Sequence, residues 1–98
     1  MTINNIPEAF TISLRLKILS SLITNSRTFN ELLEITQASR GNLSVQLSKL
    51  EEWHYIKSHK FIEMKKTKSV YSITEYGLHQ FEEYVILLQN LLKKTKID

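Results

Sequence analysis

Apolar positions along this chain repeat first at helical spacing and later in alternation, so the pattern predicts helices followed by strands. In residues 13–23 the apolar side chains fall on two adjoining faces of one helix: Leu14, Ile18 and Leu22 on one face, and Leu16, Leu19 and Ile23 on the other. So broad an apolar surface is typical of a helix that is buried on two sides.

A second helix is predicted to begin after Thr28 and to run to about Ile35. Thr28 stands three residues before Glu31, the spacing at which a hydroxyl and a carboxylate each bind the other's free backbone amide at a helix start. The next three residues, 36–38, leave room only for a turn, so the following helix must cross the second one.

The third helix has a polar start and an apolar stripe. Ser39 is predicted to cap it, and Leu43, Leu47 and Leu50 would pack on the first two helices. The face opposite this stripe carries short polar side chains, which suit the major groove of DNA. The helical pattern stops abruptly after Glu52.

Beyond this point the periodicity changes from 3.6 to 2. Segments 55–58 and 61–64 are predicted to form one strand, and segment 70–73 its antiparallel partner. The lysine-rich segment 65–69 is predicted to be the tip of this hairpin. A basic hairpin next to a polar helix suits the phosphates that flank a groove.

A last helix is predicted to start at Thr74, with Glu75 in its first turn. Its apolar residues repeat at spacings of three and four, at Leu78, Phe81, Val85, Leu88 and Leu92. The pattern as a whole predicts a mainly α fold with one small β-hairpin.

The length of 98 residues supports one domain spanning residues 1–98, because so short a chain cannot build two cores. The chain has no cysteine, which excludes disulfides, thiolate metal sites and cysteine nucleophiles. The first ten residues lack the long apolar run of a signal peptide or membrane span. We therefore expect a cytoplasmic protein with no membrane partner.

The net charge of +3 is unevenly distributed. Residues 1–39 carry three basic and three acidic side chains, whereas residues 40–72 carry seven basic and three acidic ones. The basic excess therefore lies on the third helix and the hairpin, where it predicts contact with DNA. The alternative is that these charges only keep the surface solvated.

The residues do not indicate an enzyme. The histidines, His54, His59 and His79, lack the short spacing of metal ligands, and the chain has no combination of hydroxyl, base and acid typical of nucleophilic catalysis. With only Gly41 and Gly77 it also has no glycine-rich phosphate loop. We expect no catalytic residue, no metal and no cofactor.

Several short pieces, in this order, are similar to the small winged helix-turn-helix regulators related to the MarR and ArsR families. The pieces are residues 41–44, Leu47, Leu50-Glu51, Tyr55-Ile56, residues 71–74 and Gly77. The resemblance implies a helix-turn-helix at about 28–53, a wing at about 55–74 and a long C-terminal dimerisation helix at about 75–94. It further implies a homodimer whose third helices enter the major groove of DNA.

Two residues depart from what the resemblance implies. His54 stands where these regulators usually have glycine, and we expect it to adopt the left-handed conformation that ends the third helix there. Thr67 stands at a wing position where relatives often have proline, which predicts a more mobile wing tip.

Two groups of DNA-binding residues are predicted. The base contacts are assigned to Asn42, Val45, Gln46 and Arg40, although Arg40 could equally contact a phosphate. The phosphate contacts are assigned to Ser39, Ser44, Lys49, Lys65, Lys66 and Lys68. For Asn42, Ser44 and Gln46 the alternative is ordinary solvated surface.

The apolar stripe of the last helix is wider than one small domain easily buries, which favours a homodimer. The residues assigned to dimerisation are Phe10, Leu78, Phe81, Tyr84, Val85, Leu88, Leu91 and Leu92. The alternative is that this stripe only covers the core of its own domain.

The sequence therefore predicts a DNA-binding transcriptional regulator, specific for a double-stranded inverted repeat and acting as a homodimeric repressor. Two alternatives stay open. The fold could serve as a protein-interaction module, or the DNA binding could serve plasmid replication or partition. A small effector is possible, but no residue indicates one.

Overall fold

A computed structural model describes residues 1–95 of the chain. After a short 3-10 helix at Glu8–Phe10, four helices and three strands follow in the order α1 (Ser13–Leu22), β1 (Arg27–Thr28), α2 (Phe29–Thr36), α3 (Arg40–Glu52), β2 (Ile56–Glu63), β3 (Lys66–Ile73) and α4 (Glu75–Thr95). The predicted winged helix-turn-helix fold is confirmed.

The sheet is antiparallel, with β3 in the middle, β2 on one side and β1 on the other. Strand β2 pairs with β3 from Ile56 opposite Ile73 to Glu63 opposite Lys66. Strand β1 has two residues, too few to show any alternation, and was not predicted from the sequence. It joins the start of α2 to the root of the hairpin, because Arg27 lies opposite Tyr71.

The core forms where stripes from α1 and α3 meet. The buried residues of α1 are Arg15, Ile18, Leu19 and Leu22, and those of α3 are Leu43, Gln46, Leu47 and Leu50. Both sets have the spacing i, i+3, i+4, i+7, which places four residues on one helix face. Each buried aliphatic side chain contributes about 2 kcal/mol to the stability of the fold by leaving water. The packing against α1 therefore fixes the position of α3.

Three predicted helix starts are confirmed by their caps. The Thr28 hydroxyl accepts from the Glu31 amide at 3.2 Å, and the Glu31 carboxylate accepts from the Thr28 amide at 2.8 Å. Hydrogen bonding by Thr28, first through its backbone amide, lowers the pKa of Glu31. The two other caps are Ser39, whose Oγ accepts from the amide of Asn42 at 3.1 Å, and Thr74, whose Oγ1 accepts from the amide of Gly77 at 2.9 Å.

The end of α3 has the left-handed residue expected from the sequence. His54 has φ 65°, the Tyr55 amide donates to the Leu50 carbonyl at 2.9 Å, and the His54 amide donates to the Glu51 carbonyl at 3.0 Å. This pair of bonds is a Schellman motif, which satisfies the last carbonyls of a helix. The chain thus turns directly from α3 into β2.

Helix α4 packs against this junction through Gly77. A Cβ at Gly77 would lie 2.2 Å from the carbonyl oxygen of Tyr55, so only glycine allows so close an approach. Tyr55 itself is buried, and burial together with nearby Tyr76 raises its pKa to about 12.

The hairpin tip differs from the prediction. Met64 and Lys65 form a two-residue turn with φ 51° and φ 66°, as in the tight turns that suit the twist of two strands. Segment 65–69 is therefore not the tip, because Lys66, Thr67 and Lys68 already belong to β3. The first half of β3 was not predicted because its residues are polar and show no alternation of apolar and polar side chains.

Phe10 was wrongly assigned to a dimer interface. Only 3% of its surface is exposed, and its ring stacks on that of Tyr84 with centroids 4.7 Å apart and planes 7° apart. It also meets Tyr55 and Phe81 edge to ring. Phe10 thus attaches α4 to the core of its own domain.

Candidate nucleic-acid interface

The outer face of α3 carries most of the residues predicted to contact DNA. Its exposed side chains between residues 40 and 49 are Arg40, Asn42, Ser44, Val45, Ser48 and Lys49, and the capping residue Ser39 is exposed beside them. Val45 is the single large apolar side chain among these positions. A short polar surface with one methyl-bearing residue matches the size and chemistry of base edges in the major groove.

Gln46 does not belong to this surface, and the expectation that it faces outward is wrong. Only 8% of its surface is exposed, and its Oε1 accepts from Nε of Arg15 at 2.8 Å. The physical reason is its spacing, because Gln46 lies three residues after Leu43 and four before Leu50, within the buried stripe. That spacing was the signal available in the sequence.

Arg15, which the sequence did not single out, lies directly behind this surface as the partner of Gln46. It is 4% exposed on α1, where it occupies the first position of the buried stripe. Its Nη1 donates to the carbonyl of Glu8 at 2.7 Å, and its guanidinium lies 4.9 Å from the centre of the Trp53 ring. Arg15 therefore ties the start of α1 to the middle of α3 and to the residue that ends it.

The same network reaches the surface through Asn42. The Nε2 of Gln46 donates to Oδ1 of Asn42 at 3.4 Å, one helical turn towards the start of α3. Asn42 itself is exposed and lies in the first turn of α3. An exposed residue in the expected base-reading position is thus connected to a buried arginine.

Arg40 lies at the first position of α3 and shares a groove with residues of the wing. Its guanidinium is 5.8 Å from the centre of the Phe29 ring. Together with the start of α2 and the outer part of β3, it lines an open groove of about 380 Å³ whose residues are Thr28, Phe29, Asn30, Arg40, Thr67, Lys68 and Ser69. The groove is mostly polar and joins helix to wing, so its position suits a phosphate of the DNA backbone.

The predicted wing lysines differ in their surroundings. Lys65 and Lys66 are exposed at the turn and at the first position of β3. Lys68 instead forms an ion pair with Glu63 across the hairpin, with Nζ and Oε2 3.0 Å apart. Two apolar side chains not singled out in the sequence, Ile62 at 77% and Met64 at 90% exposure, lie beside these lysines.

One apolar groove lies away from this surface, between the end of α1 and α4. It has a volume of about 480 Å³ and is lined by Ile23, Leu78, Phe81, Glu82, Val85 and Ile86. Its lining is apolar apart from Glu82, which suits a partner helix as well as a small molecule.

Within residues 1–95 no group of three or more histidine or acidic side chains is placed to hold a metal ion. His79 faces Glu83 on α4 at 3.7 Å, far along the chain from the other histidines. No helix in the same described range is long and apolar enough to cross a bilayer.

The sequence of residues 14–92 matches the winged helix DNA-binding domain family. The chain belongs to this family. As the match covers α1 to α4 almost completely, it includes both α3 and the wing. A winged helix DNA-binding domain agrees with the expectation that the protein is not an enzyme. No curated protein matches the sequence.

Several solved structures superpose on the chain. The transcriptional regulator homologue protein of Pyrococcus horikoshii OT3 has 21% identity and a TM-score of 0.77, over 86% of this chain and 84% of that one. A putative MarR-family regulator of Enterococcus faecalis V583 has 17% identity and a TM-score of 0.73, over 87% and 81%.

A third structure is that of Bacillus subtilis PadR in complex with operator DNA. It has 19% identity and a TM-score of 0.69, over 76% of this chain and 47% of PadR. At these identities the likeness concerns the fold.

Proposed function

We propose that this protein is a transcriptional regulator that binds a double-stranded inverted repeat as a homodimer and represses by occupying the site. The observation that carries the proposal is the exposed polar face of α3 beside a basic wing, in a chain of the winged helix DNA-binding domain family. The superposed PadR structure, which contains operator DNA, supports the same mode of binding. We expect the protein in the cytoplasm, where it can reach its operator.

The contacts are assigned from exposure. Asn42 and Val45 contact base edges, with Val45 suited to a thymine methyl group. Arg40 moves to the phosphate contacts because of its place in the groove between helix and wing. The other phosphate contacts are Ser39, Ser44, Lys49, Lys65, Lys66 and Lys68. Lys68 contributes less than its neighbours, since Glu63 already neutralises it.

The homodimer forms through α4 in this proposal. With 21 residues, α4 is about 31 Å long, and Val85, Ile86 and Leu88 are exposed on it. Leu78, Phe81, Tyr84 and Leu91 are half-buried and contribute their outer edges, whereas Leu92 lies further along the helix. A dimer also supplies two α3 helices, because one alone contacts too few base pairs for useful selectivity.

Family membership favours DNA binding over the alternative of a protein-interaction module. The choice between transcription and plasmid maintenance depends on how the protein loads on DNA. A regulator occupies one site per dimer, whereas a partition protein extends along repeats as the duplex lengthens.

The test is a fluorescence-anisotropy titration of the purified protein against a random duplex library at several salt concentrations, followed by sequencing of the bound fraction. We expect an inverted repeat to be enriched, with a log-log salt slope near −0.9 for each phosphate contact. The control is Asn42→Ala, which should lower selectivity more than salt dependence. No binding even at low salt would reject the proposal.

A further inference from the structure

Arg15 fixes the orientation of the side-chain amide that it contacts. A guanidinium has N–H groups and no acceptor, so the Gln46 atom 2.8 Å from Nε of Arg15 must be the carbonyl oxygen. The alternative orientation would place two donors against each other inside the protein, where an unpaired polar group is costly. The amino group of Gln46 therefore points the other way.

That amino group in turn orients Asn42. Nε2 of Gln46 is a donor, so the Asn42 atom that it meets at 3.4 Å must be the acceptor Oδ1. The Asn42 backbone is held independently, because its amide donates to the Ser39 cap. With Oδ1 turned towards Gln46, the Nδ2 amino group of Asn42 is the part of the amide left to face outward.

We infer that the hydrogen-bond chain from Arg15 through Gln46 to Asn42 sets the base preference of α3. In this arrangement Asn42 presents only a donor to DNA and selects base acceptors. This inference rests on the proposed DNA binding and deepens it. Asn42 is the contacting residue, whereas Arg15 and Gln46 are positioning residues that never touch DNA.

The base chemistry follows from the major-groove pattern of donors and acceptors. Guanine presents two acceptors, N7 and O6, and thymine presents O4, whereas cytosine presents only its amino donor. An asparagine free to use both ends of its amide pairs with adenine through N6 and N7. Because Oδ1 of Asn42 is turned towards Gln46 and away from DNA, that paired contact is lost. Guanine, with two acceptors, is then favoured over adenine, whose acceptor N7 lies beside an amino group, and over cytosine.

The test is Gln46→Glu, which reverses the direction of the hydrogen bond between residue 46 and Asn42. A carboxylate at this position still accepts from Arg15, but its second oxygen faces Asn42 and requires a donor there. The Asn42 amide then turns over, with Nδ2 inward and Oδ1 outward. Selection from the duplex library should change at the position that Asn42 contacts, from guanine to a base with an amino donor, by about tenfold.

Two controls isolate the effect. The position that Asn42 contacts is the one whose preference Asn42→Ala removes, and the double variant Asn42→Ala with Gln46→Glu should show no preference there. Gln89→Glu adds the same charge on the exposed side of α4, away from DNA, and should leave the preference unchanged. An unchanged guanine preference in Gln46→Glu, or a wild-type preference for adenine or cytosine, would overturn the inference.

A measurement without DNA separates this inference from the proposed function. By NMR of the whole protein, the Gln46 side-chain amide protons should exchange with water more slowly than those of exposed Gln89, and one should shift in Asn42→Ala. Exchange as fast as that of Gln89 would overturn the hydrogen-bond chain, even if the protein binds DNA. Slow exchange with no DNA binding would reject the proposed function instead and the base contact with it.

Discussion

Helix α3 and the wing form one candidate DNA surface, but they are supported in opposite ways. Four side chains of α3 are buried, and its outer face is connected to the interior through Gln46 and Arg15. The outer half of the wing has no such support, since Ile62, Met64 and Lys65 are all exposed around a two-residue turn. The outer side chains of α3 are therefore held in fixed positions, whereas those of the wing tip can adjust.

This difference decides what each region can recognise. A contact to a base edge requires a donor held in a defined place and direction, which the anchored first turn of α3 supplies. A long lysine side chain on a hairpin has many rotamers and acts as a charge near phosphates. We therefore expect selectivity to depend on α3 and its interior contacts, and salt dependence to depend on the wing.

The largest effect should come from the junction that connects the two regions. Gly77→Ala places a methyl group 2.2 Å from the Tyr55 carbonyl, a backbone atom that cannot move without displacing the start of β2. We expect a loss of about 3 kcal/mol in the free energy of unfolding, measured by urea denaturation.

The matched control is Gly41→Ala in α3, where the added Cβ has nothing within 4 Å. It should gain about 0.5 to 1 kcal/mol, because alanine is the better helix residue. A Gly77→Ala protein as stable as wild type would mean that helix and wing are not held together by this contact.

Removing the interior support of α3 should have the next largest effect. Arg15→Met keeps most of the side-chain volume but leaves Gln46 Oε1 without the donor from Arg15 and removes one of the donors to the Glu8 carbonyl. We expect the free energy of unfolding to fall by about 2 kcal/mol. The folded protein should also discriminate less between bases. The measurements are thermal unfolding and the selected site preference.

The contrary result is that Arg15→Met weakens binding equally to all sequences. That result would mean that Arg15 only stabilises the domain and does not position α3. Hydrogen exchange of the β2 and β3 amides offers a second check, because the wing lies outside this network and should keep its protection.

The wing should show the reverse behaviour. Lys65→Ala with Lys66→Ala removes two exposed charges, so the salt slope should fall in magnitude by about 1.8, equivalent to roughly tenfold weaker binding at moderate salt. Site preference and the free energy of unfolding should hardly change. The control is Lys93→Ala with Lys94→Ala, an equal change of charge in the last turns of α4. If the preference changes instead, the wing also reads sequence.

The elements of the fold could be predicted because their signals are local. Thr28 and Glu31 three residues apart predict a helix start wherever the helix lies, and the apolar stripe of α3 predicts which face is buried. His54 was expected in a left-handed conformation from its place after the helix, and φ of 65° agrees. Each of these depends on neighbours within a few residues.

The interior contacts of the site could not be predicted in the same way. Arg15 and Gln46 are 31 residues apart, and Gln46 was expected on the surface. Each side chain is stable in the interior because the other provides its hydrogen-bond partner. The pattern of one helix alone does not show such a pair. Phe10 was misplaced for a similar reason, since the aromatic rings that surround it come from distant segments.

The smallest expected effect concerns the residue at which the anchored helix passes into the wing. His54 carries a Cβ in the left-handed region, which costs about 1 kcal/mol, whereas glycine adopts it freely but has more freedom to lose on folding. His54→Gly should therefore change the free energy of unfolding by between zero and about 1 kcal/mol in the stabilising direction. The matched change is Met64→Gly at φ 51° in the exposed wing turn. If backbone conformation alone determines the effect, thermal unfolding should show the same gain in stability for both variants. A loss confined to His54→Gly would show that the imidazole itself helps to hold the wing against α3.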